Sequence, residues 1–166
     1  MLDKSDTRLI LGIDPGIAET GWAVVKASPG EARVVESSSL KTYPYDLLVV
    51  RIDGIVSSMK EVLDYFKPNE VAMESLVLLP RRGTVGSYEL TGALRMSFWR
   101  EGHHIHDYAP SRVKKVTSGH GNADKEMMAF AVSCVLEFAS NSPHRIDAAA
   151  VAYTHMMQMR KANDAN

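Results

Sequence analysis

The run RLILGIDPGIAETGWAVV, residues 8–25, predicts a β-hairpin with an acid at its turn. Residues 8–13 form an apolar strand, residues 20–27 form its partner, and Pro15 and Gly16 supply turn chemistry between them. Asp14 ends the first strand. Burying an unpaired carboxylate costs several kcal/mol, so this acid should be solvated, paired or bound to a metal ion. The choice among these three decides what the protein does.

Downstream of the hairpin, the sequence predicts a mixed α/β sheet in one domain. Strands are expected at 32–40, 70–74 and 103–108, and helices at 46–66, 85–101, 111–117, 125–138 and 145–159. Asp124 should cap the helix that begins at residue 125, and the polar tail after residue 160 should fray. No repeat, linker or low-complexity segment divides the 166 residues, so we expect a single domain with its core over about 8–158.

Composition places the chain among globular proteins. Hydrophobic residues make up 45% and charged residues 23%, which excludes a disordered chain. The single cysteine, Cys134, lies in the apolar stretch AFAVSCVLEF and should be a buried small side chain. Apolar runs fall far short of the ~20 residues that span a bilayer, and the N-terminus is polar. We therefore expect a cytoplasmic protein with no membrane partner.

The net charge of −1 hides an uneven distribution of basic residues. The middle of the chain carries Arg81, Arg82, Arg95, Arg100, Arg112, Lys114, Lys115 and Lys125. The acids lie largely elsewhere, so a local basic face can exist on a nearly neutral protein.

Two further acids stand at the ends of predicted elements. Glu74 ends the fourth strand, and Asp147 lies in the first turn of the last helix, three residues after His144. If the first and fourth strands are neighbours, these carboxylates meet at one sheet edge, where they would repel each other without a cation. Oxygen-rich sites suit Mg²⁺ or Mn²⁺, and two such ions about 3.5–4 Å apart can catalyse phosphodiester hydrolysis. We therefore expect Asp14 to be paired by metal rather than by protein.

Each of these residues also has an ordinary structural interpretation. Asp14 fits an Asp-Pro-Gly turn, Glu74 a solvated strand end, and Asp147 an acid interacting with a helix dipole, with His144 on the surface. Their joint occurrence in IDPG, AMES and HRIDAAA favours the functional interpretation.

Four segments together resemble the RuvC family of Holliday junction resolvases. They are ILGIDPGIAETGWAVV, EVAMES, YAPSRVKKVTSGHGNADKEMM and HRIDAAAVAYTH, and the resemblance covers roughly residues 8–156. The most specific part is GHGNADKE after VKKVTSG, because many RNase H-like enzymes share the acid on the first strand but few share this loop.

The resemblance implies an RNase H-like fold, with a five-stranded mixed sheet of three antiparallel strands followed by two parallel ones. It implies a homodimer that nicks two strands of like polarity in a four-way DNA junction, with Mg²⁺ or Mn²⁺ as cofactor and branch-migration proteins as candidate partners. By motif, Asp14, Glu74 and Asp147 would be acidic metal ligands and catalytic residues. His144 would take the fourth position, where the family carries either Asp or His.

The resemblance also indicates a DNA-binding surface. Lys114 and Lys125 match its DNA-contacting lysines, with Lys115 adjacent. Gly119 and Gly121 would let the backbone approach a phosphate, although a flexible entry to the next helix would also explain them. Arg81 and Arg82 would grip phosphates from the loop after Glu74. That loop carries Leu76 and Val77 where many relatives have an aromatic that stacks at the junction centre.

Alternative functions remain at this level. They are another RNase H-like nuclease acting on RNA or other branched DNA, and a junction-binding module that does not cleave. An actin-like phosphotransferase needs a much longer chain. His104 and His106 share a strand face, but two ligands without a third rarely make a metal site, so we interpret them as strand residues.

Overall fold

The computed structural model describes residues 7–76 and 85–164. Its strands are β1 (Arg8–Asp14), β2 (Glu19–Ser28), β3 (Glu31–Lys41), β4 (Glu70–Glu74) and β5 (Ile105–Tyr108). Its helices are α1 (Leu48–Phe66), α2 (Val85–Arg100), α3 (Pro110–Ser118), α4 (Lys125–Leu136) and α5 (Pro143–Asp164). Within these residues no helix is both long and apolar enough to cross a membrane.

The predicted elements are present, and their ends differ most in α5. This helix begins at Pro143 rather than at residue 145, so His144 lies in its first turn and Asp147 just beyond it. It also continues to Asp164, so residues 161–164 of the tail that was expected to fray are helical. Proline at the first helical position is favoured because its missing N–H has no partner there in any case. The Asp124 cap is confirmed, since its Oδ1 accepts a hydrogen bond from the Met127 amide at 2.8 Å.

The five strands form one mixed sheet in the order β3-β2-β1-β4-β5. The β1–β2 and β2–β3 pairs are antiparallel, and the β1–β4 and β4–β5 pairs are parallel, as the resemblance implied. Ile13 of β1 is paired with Met73 of β4, and each strand ends one residue later. Asp14 and Glu74 are therefore the last residues of neighbouring parallel strands and lie at the same edge of the sheet.

Helices cover both faces of the sheet, and β1 is buried on both sides. Ile10 contributes to the cluster shared with α4 and α5, whereas Leu11 contributes to the cluster shared with α1 and α2. This alternation follows from the period of two along a strand. Helix α5 is rich in alanine where it packs on the sheet: Ala148, Ala149 and Ala150 are fully buried, and a Cβ atom added to Gly12 of β1 would overlap Ala148 and Ala152. Small side chains let this helix lie close to the strands that carry the acids.

The prediction for Cys134 is wrong, because this cysteine is exposed. Helix α4 buries Met128, Val132 and Leu136, which repeat every four residues and define its inner face. Cys134 lies halfway between the last two of these, so it points away from the core. An apolar run on a helix does not by itself show which side is buried.

Candidate active site

The candidate active site lies at the edge where β1 and β4 end. Asp14 and Glu74 come from these two strands, and α5 delivers His144 and Asp147 to the same edge. Positions three residues apart on a helix face the same side, so both α5 residues point to the strand ends. The structure brings together all four residues that the sequence predicted for the site.

Gly21 explains how the start of α5 reaches this edge. It is paired with Asp14 across the β1–β2 ladder. A Cβ atom built on Gly21 would overlap the backbone carbonyl of His144. The absence of a side chain here lets the first turn of α5 rest directly on β2, beside the acid of β1.

Asp14 has a protein partner, contrary to the prediction that metal alone would pair it. Its Oδ2 lies 2.7 Å from Nδ1 of His144, and 18% of the Asp14 side chain is exposed. This hydrogen bond raises the pKa of His144, against the opposing effect of burial, and the charges of Asp14, Glu19 and Asp147 act in the same direction. The raised pKa favours the imidazolium form of His144, whose positive charge lies next to the acids.

The other two carboxyl groups bind protons more tightly than isolated acids do. Burial, followed by the charges of Asp14 and Asp147, raises the pKa of Glu74 to about 8. Burial and the charge of Asp14 raise the pKa of Asp147 to about 6, with His144 opposing. Glu74 and Asp147 thus lie in a crowded, partly desolvated set of carboxyl groups and resist ionisation.

This donor set fits divalent cations. Three carboxyl groups converge on one edge, where ionisation of Glu74 and Asp147 is disfavoured, and a bound cation would reverse that effect. Hard oxygen ligands suit Mg²⁺ and Mn²⁺, and the imidazole of His144 is compatible with the second of these.

The comparisons with known proteins agree with this geometry. The family model described as "Crossover junction endodeoxyribonuclease RuvC" matches residues 10–155. The chain belongs to the RuvC family. The RuvC of Orientia tsutsugamushi strain Boryong is 30% identical over 148 residues, which cover 88% of this chain and 93% of the relative. That of Corynebacterium jeikeium is 32% identical over 149 residues, 87% of this chain and 91% of the relative.

A solved structure of the family shows the same fold. The structure titled "T. thermophilus RuvC in complex with Holliday junction substrate" is 31% identical and superposes with a TM-score of 0.85. The match covers 93% of this chain and 96% of that one. The expected family and the RNase H-like mixed sheet are thereby confirmed.

Two of the lysines expected at the DNA lie beside the RuvC-type carboxylates. The charge of Lys114 lowers the pKa of Glu74 and of Asp147, and Lys125 lowers that of Asp147. Lys114 is half-buried on α3, whereas Lys125 is exposed at the start of α4. These two lysines are therefore placed to act on a phosphate that reaches the acids.

The remaining DNA-binding candidates are more scattered. Lys115 is exposed in a separate cleft between α3 and α5 that also contains Arg112 and Lys161. Gly119 has a φ of 82° and ends α3 in the left-handed conformation, which by itself favours glycine. Gly121 is exposed in the same loop. Arg81, Arg82 and Val77 lie outside the described residues.

Glu19 is a site neighbour that the sequence analysis missed. Its charge contributes to the raised pKa of His144, and its Oε1 lies 3.4 Å from the Ser142 hydroxyl just before α5. In the sequence it looks like an ordinary first residue of a strand. The hairpin register was the one signal available, because Glu19 begins the strand that returns from Asp14.

Proposed function

We propose that this RuvC-family chain resolves four-way (Holliday) DNA junctions by nicking two strands of like polarity symmetrically. The observation that carries the proposal is the convergence of Asp14, Glu74 and Asp147 with His144 at one sheet edge. A relative with the same fold is described in complex with a Holliday junction. One fold can host many functions, so the site residues support this assignment more strongly than the topology does.

We infer that Asp14, Glu74, His144 and Asp147 are the catalytic residues and hold Mg²⁺, with Mn²⁺ as an alternative. A pair of such ions supplies Lewis-acid stabilisation and lowers the pKa of the attacking water. Asp14 ends β1 and contacts His144 of α5, so it can bind metal together with the strand residue Glu74 and with the helix residues. His144 donates from Nδ1 to Asp14 and so keeps this carboxylate oriented; in the neutral imidazole, Nε2 is then left to bind the metal.

Basic residues would position the DNA backbone at this edge. Lys114 and Lys125 act on the carboxylates electrostatically, so they can stabilise the negative charge of a phosphate held there. Lys115, Arg112 and Lys161 share a cleft farther along α3 and α5, where a junction arm can be held. Gly119, Gly121, Arg81 and Arg82 complete the proposed DNA-binding set from sequence alone. The single-domain organisation, cytoplasmic location and branch-migration partners also stay predictions.

A four-way junction presents two equivalent strands, so paired nicking calls for two copies of the site related by a two-fold axis. Helix α2 offers a surface for a second copy. Leu90, Leu94 and Phe98 face the core, whereas 55% of Met96 and 69% of Trp99 are exposed. The apolar residues of this helix therefore divide between a core face and an exposed face. We propose that the exposed face is the homodimer contact.

The dimer contact predicts a selective effect of Trp99→Ser. We expect this variant to weaken self-association by at least about tenfold, since exposed aromatic anchors dominate such interfaces. Sedimentation velocity over a concentration series measures the change. Phe130→Ser is the matched control, because Phe130 is 73% exposed on α4. A monomeric wild type, or equal behaviour of the two variants, would contradict the α2 contact.

The decisive experiment compares a synthetic four-way junction with a linear duplex of the same sequence. We expect paired nicks in the junction with Mg²⁺, none with EDTA, and an intact duplex. Flap, three-way and RNA–DNA substrates test the broader RNase H-like alternative. Equal cutting of junction and duplex would indicate a general nuclease, and binding without cutting would indicate a junction-binding module.

A further inference from the structure

A second cluster of metal-binding side chains lies at the other end of β4 and α5. Glu70 begins β4, His106 lies in β5, and His155 lies two turns after Asp147 on α5. Glu70 is four strand residues from Glu74, or about 13 Å. His155 is eight helical residues from Asp147, or about 12 Å. The cluster is therefore separate from the candidate active site, although it shares two of its elements.

The three side chains are close enough to bind one ion. Oε2 of Glu70 lies 3.4 Å from Nε2 of His106 and 3.6 Å from Nε2 of His155. The candidate ligand atoms all lie within 4.8 Å of one another. Within residues 7–76 and 85–164, no other group of three His, Cys, Asp or Glu side chains is this close. Bonds of about 2.0–2.2 Å to a tetrahedral Zn²⁺ place ligand atoms about 3.3–3.6 Å apart. A small contraction would therefore complete the coordination.

His155 supplies independent evidence that this cluster takes a ligand. The residue is 4% exposed, and its Nδ1 lies 2.8 Å from the Tyr108 hydroxyl. Its Nε2 is buried and has no hydrogen-bond partner in the described part of the chain. When Nδ1 donates to Tyr108, Nε2 carries the lone pair that a metal needs, and it points towards Glu70 and His106.

Surrounding residues orient the cluster. Nη1 of Arg8 lies 3.1 Å from Oε1 of Glu70, which leaves Oε2 facing the two imidazoles. The rings of His106 and His155 lie 4.4 Å apart, and that of His104 contacts His106 edge-on at 5.1 Å. Partners of this kind fix the direction of ligand atoms at metal sites.

We propose that Glu70, His106 and His155 form a binding site for a zinc-type divalent transition-metal ion. Two imidazole nitrogens and one carboxylate oxygen favour Zn²⁺ over Mg²⁺, whose preferred ligands are oxygens. A water molecule can fill the fourth position. The bound ion would connect β4, β5 and α5. From the sequence, His104 and His106 were interpreted as ordinary strand residues because a third ligand was missing. In the structure, Glu70 and His155 join His106, and His104 stays outside the group.

Metal titration of the full-length protein tests the site. We expect one equivalent of Zn²⁺ to bind in calorimetry, with excess Mg²⁺ failing to displace it. Co²⁺ should give the visible absorption bands of a site with imidazole ligands. His106→Ala and Glu70→Gln should each weaken Zn²⁺ binding by at least about tenfold. His106 is half-exposed, so its replacement leaves most of the core intact.

Controls separate this site from the carboxylates of the active site. His103→Ala should bind Zn²⁺ like the wild type, since His103 lies outside the cluster. Asp14→Asn should also retain the binding, and circular dichroism verifies the fold of each variant. The proposal is overturned if the wild type binds no stoichiometric Zn²⁺, if His106→Ala and Glu70→Gln bind it unchanged, or if Asp14→Asn alone abolishes binding. None of these outcomes depends on junction cleavage.

Discussion

Asp14→Asn will cut a four-way junction at less than about one thousandth of the wild-type rate, while still binding it. Asp14 lies at the centre of the site, where it accepts a hydrogen bond from His144 and its charge raises the pKa of Glu74 and of Asp147. Asparagine keeps the size of the side chain but removes the charge that a divalent cation requires. Single-turnover cleavage with Mg²⁺ measures the rate, and a mobility shift with Ca²⁺ measures binding.

Asp53→Asn is the control for this experiment. Asp53 is exposed on α1 and is not among the charges that shift the pKa values of Glu74, His144 and Asp147, so the same chemical change should leave the rate within about twofold of wild type. Cleavage by Asp14→Asn at a normal rate would disprove the assignment of the site. Loss of both binding and cleavage would instead place Asp14 in DNA recognition.

Glu74→Gln will abolish cleavage and yet stabilise the metal-free protein at alkaline pH. The folded protein raises the pKa of Glu74 from 4.5 to about 8, because burial and two neighbouring acids disfavour its charge. Folding therefore favours the protonated form. That stability is complete below about pH 4.5, the pKa of the unfolded chain, and is lost as the pH rises through 8.

The size of the effect follows from the shift. It corresponds to about 5 kcal/mol between the two protonation states, and repulsion relieved by protonation of neighbouring acids reduces this. We expect Glu74→Gln to raise the free energy of unfolding by about 2–4 kcal/mol at pH 9 and by little at pH 5. Urea unfolding with EDTA at both pH values measures it.

Glu61→Gln is the matched control, since Glu61 is exposed on α1 and should show no such pH dependence. Mg²⁺ should reduce the difference between Glu74→Gln and the wild type, because the cation stabilises the charged carboxylate. Equal stabilisation at pH 5 and pH 9 would show that charge at Glu74 is not the cause. The wild type would then gain nothing from protonation of this residue.

The sequence was sufficient where the determining interactions are local. Short apolar runs predicted β1 and β4. Placing the acids at their ends in one site needed a further assumption, that the two strands are neighbours. Asp124 was recognisable as a helix cap because its partner, the Met127 amide, lies three residues away. The motifs around Asp14, Glu74 and Asp147 also carried the family resemblance, and the match of the family model to residues 10–155 confirms it.

Only the tertiary structure decided which distant side chains meet. The bond between Asp14 and His144 depends on the close approach of α5 to β2 at Gly21. Likewise, Glu70, His106 and His155 come from β4, β5 and α5, so no spacing in the sequence could reveal the third ligand. Local patterns determine elements and their ends, whereas the pairing of strands and the phase of a helix depend on packing across the whole sheet. That packing placed the acids at one end of β4 and α5 and the imidazoles at the other.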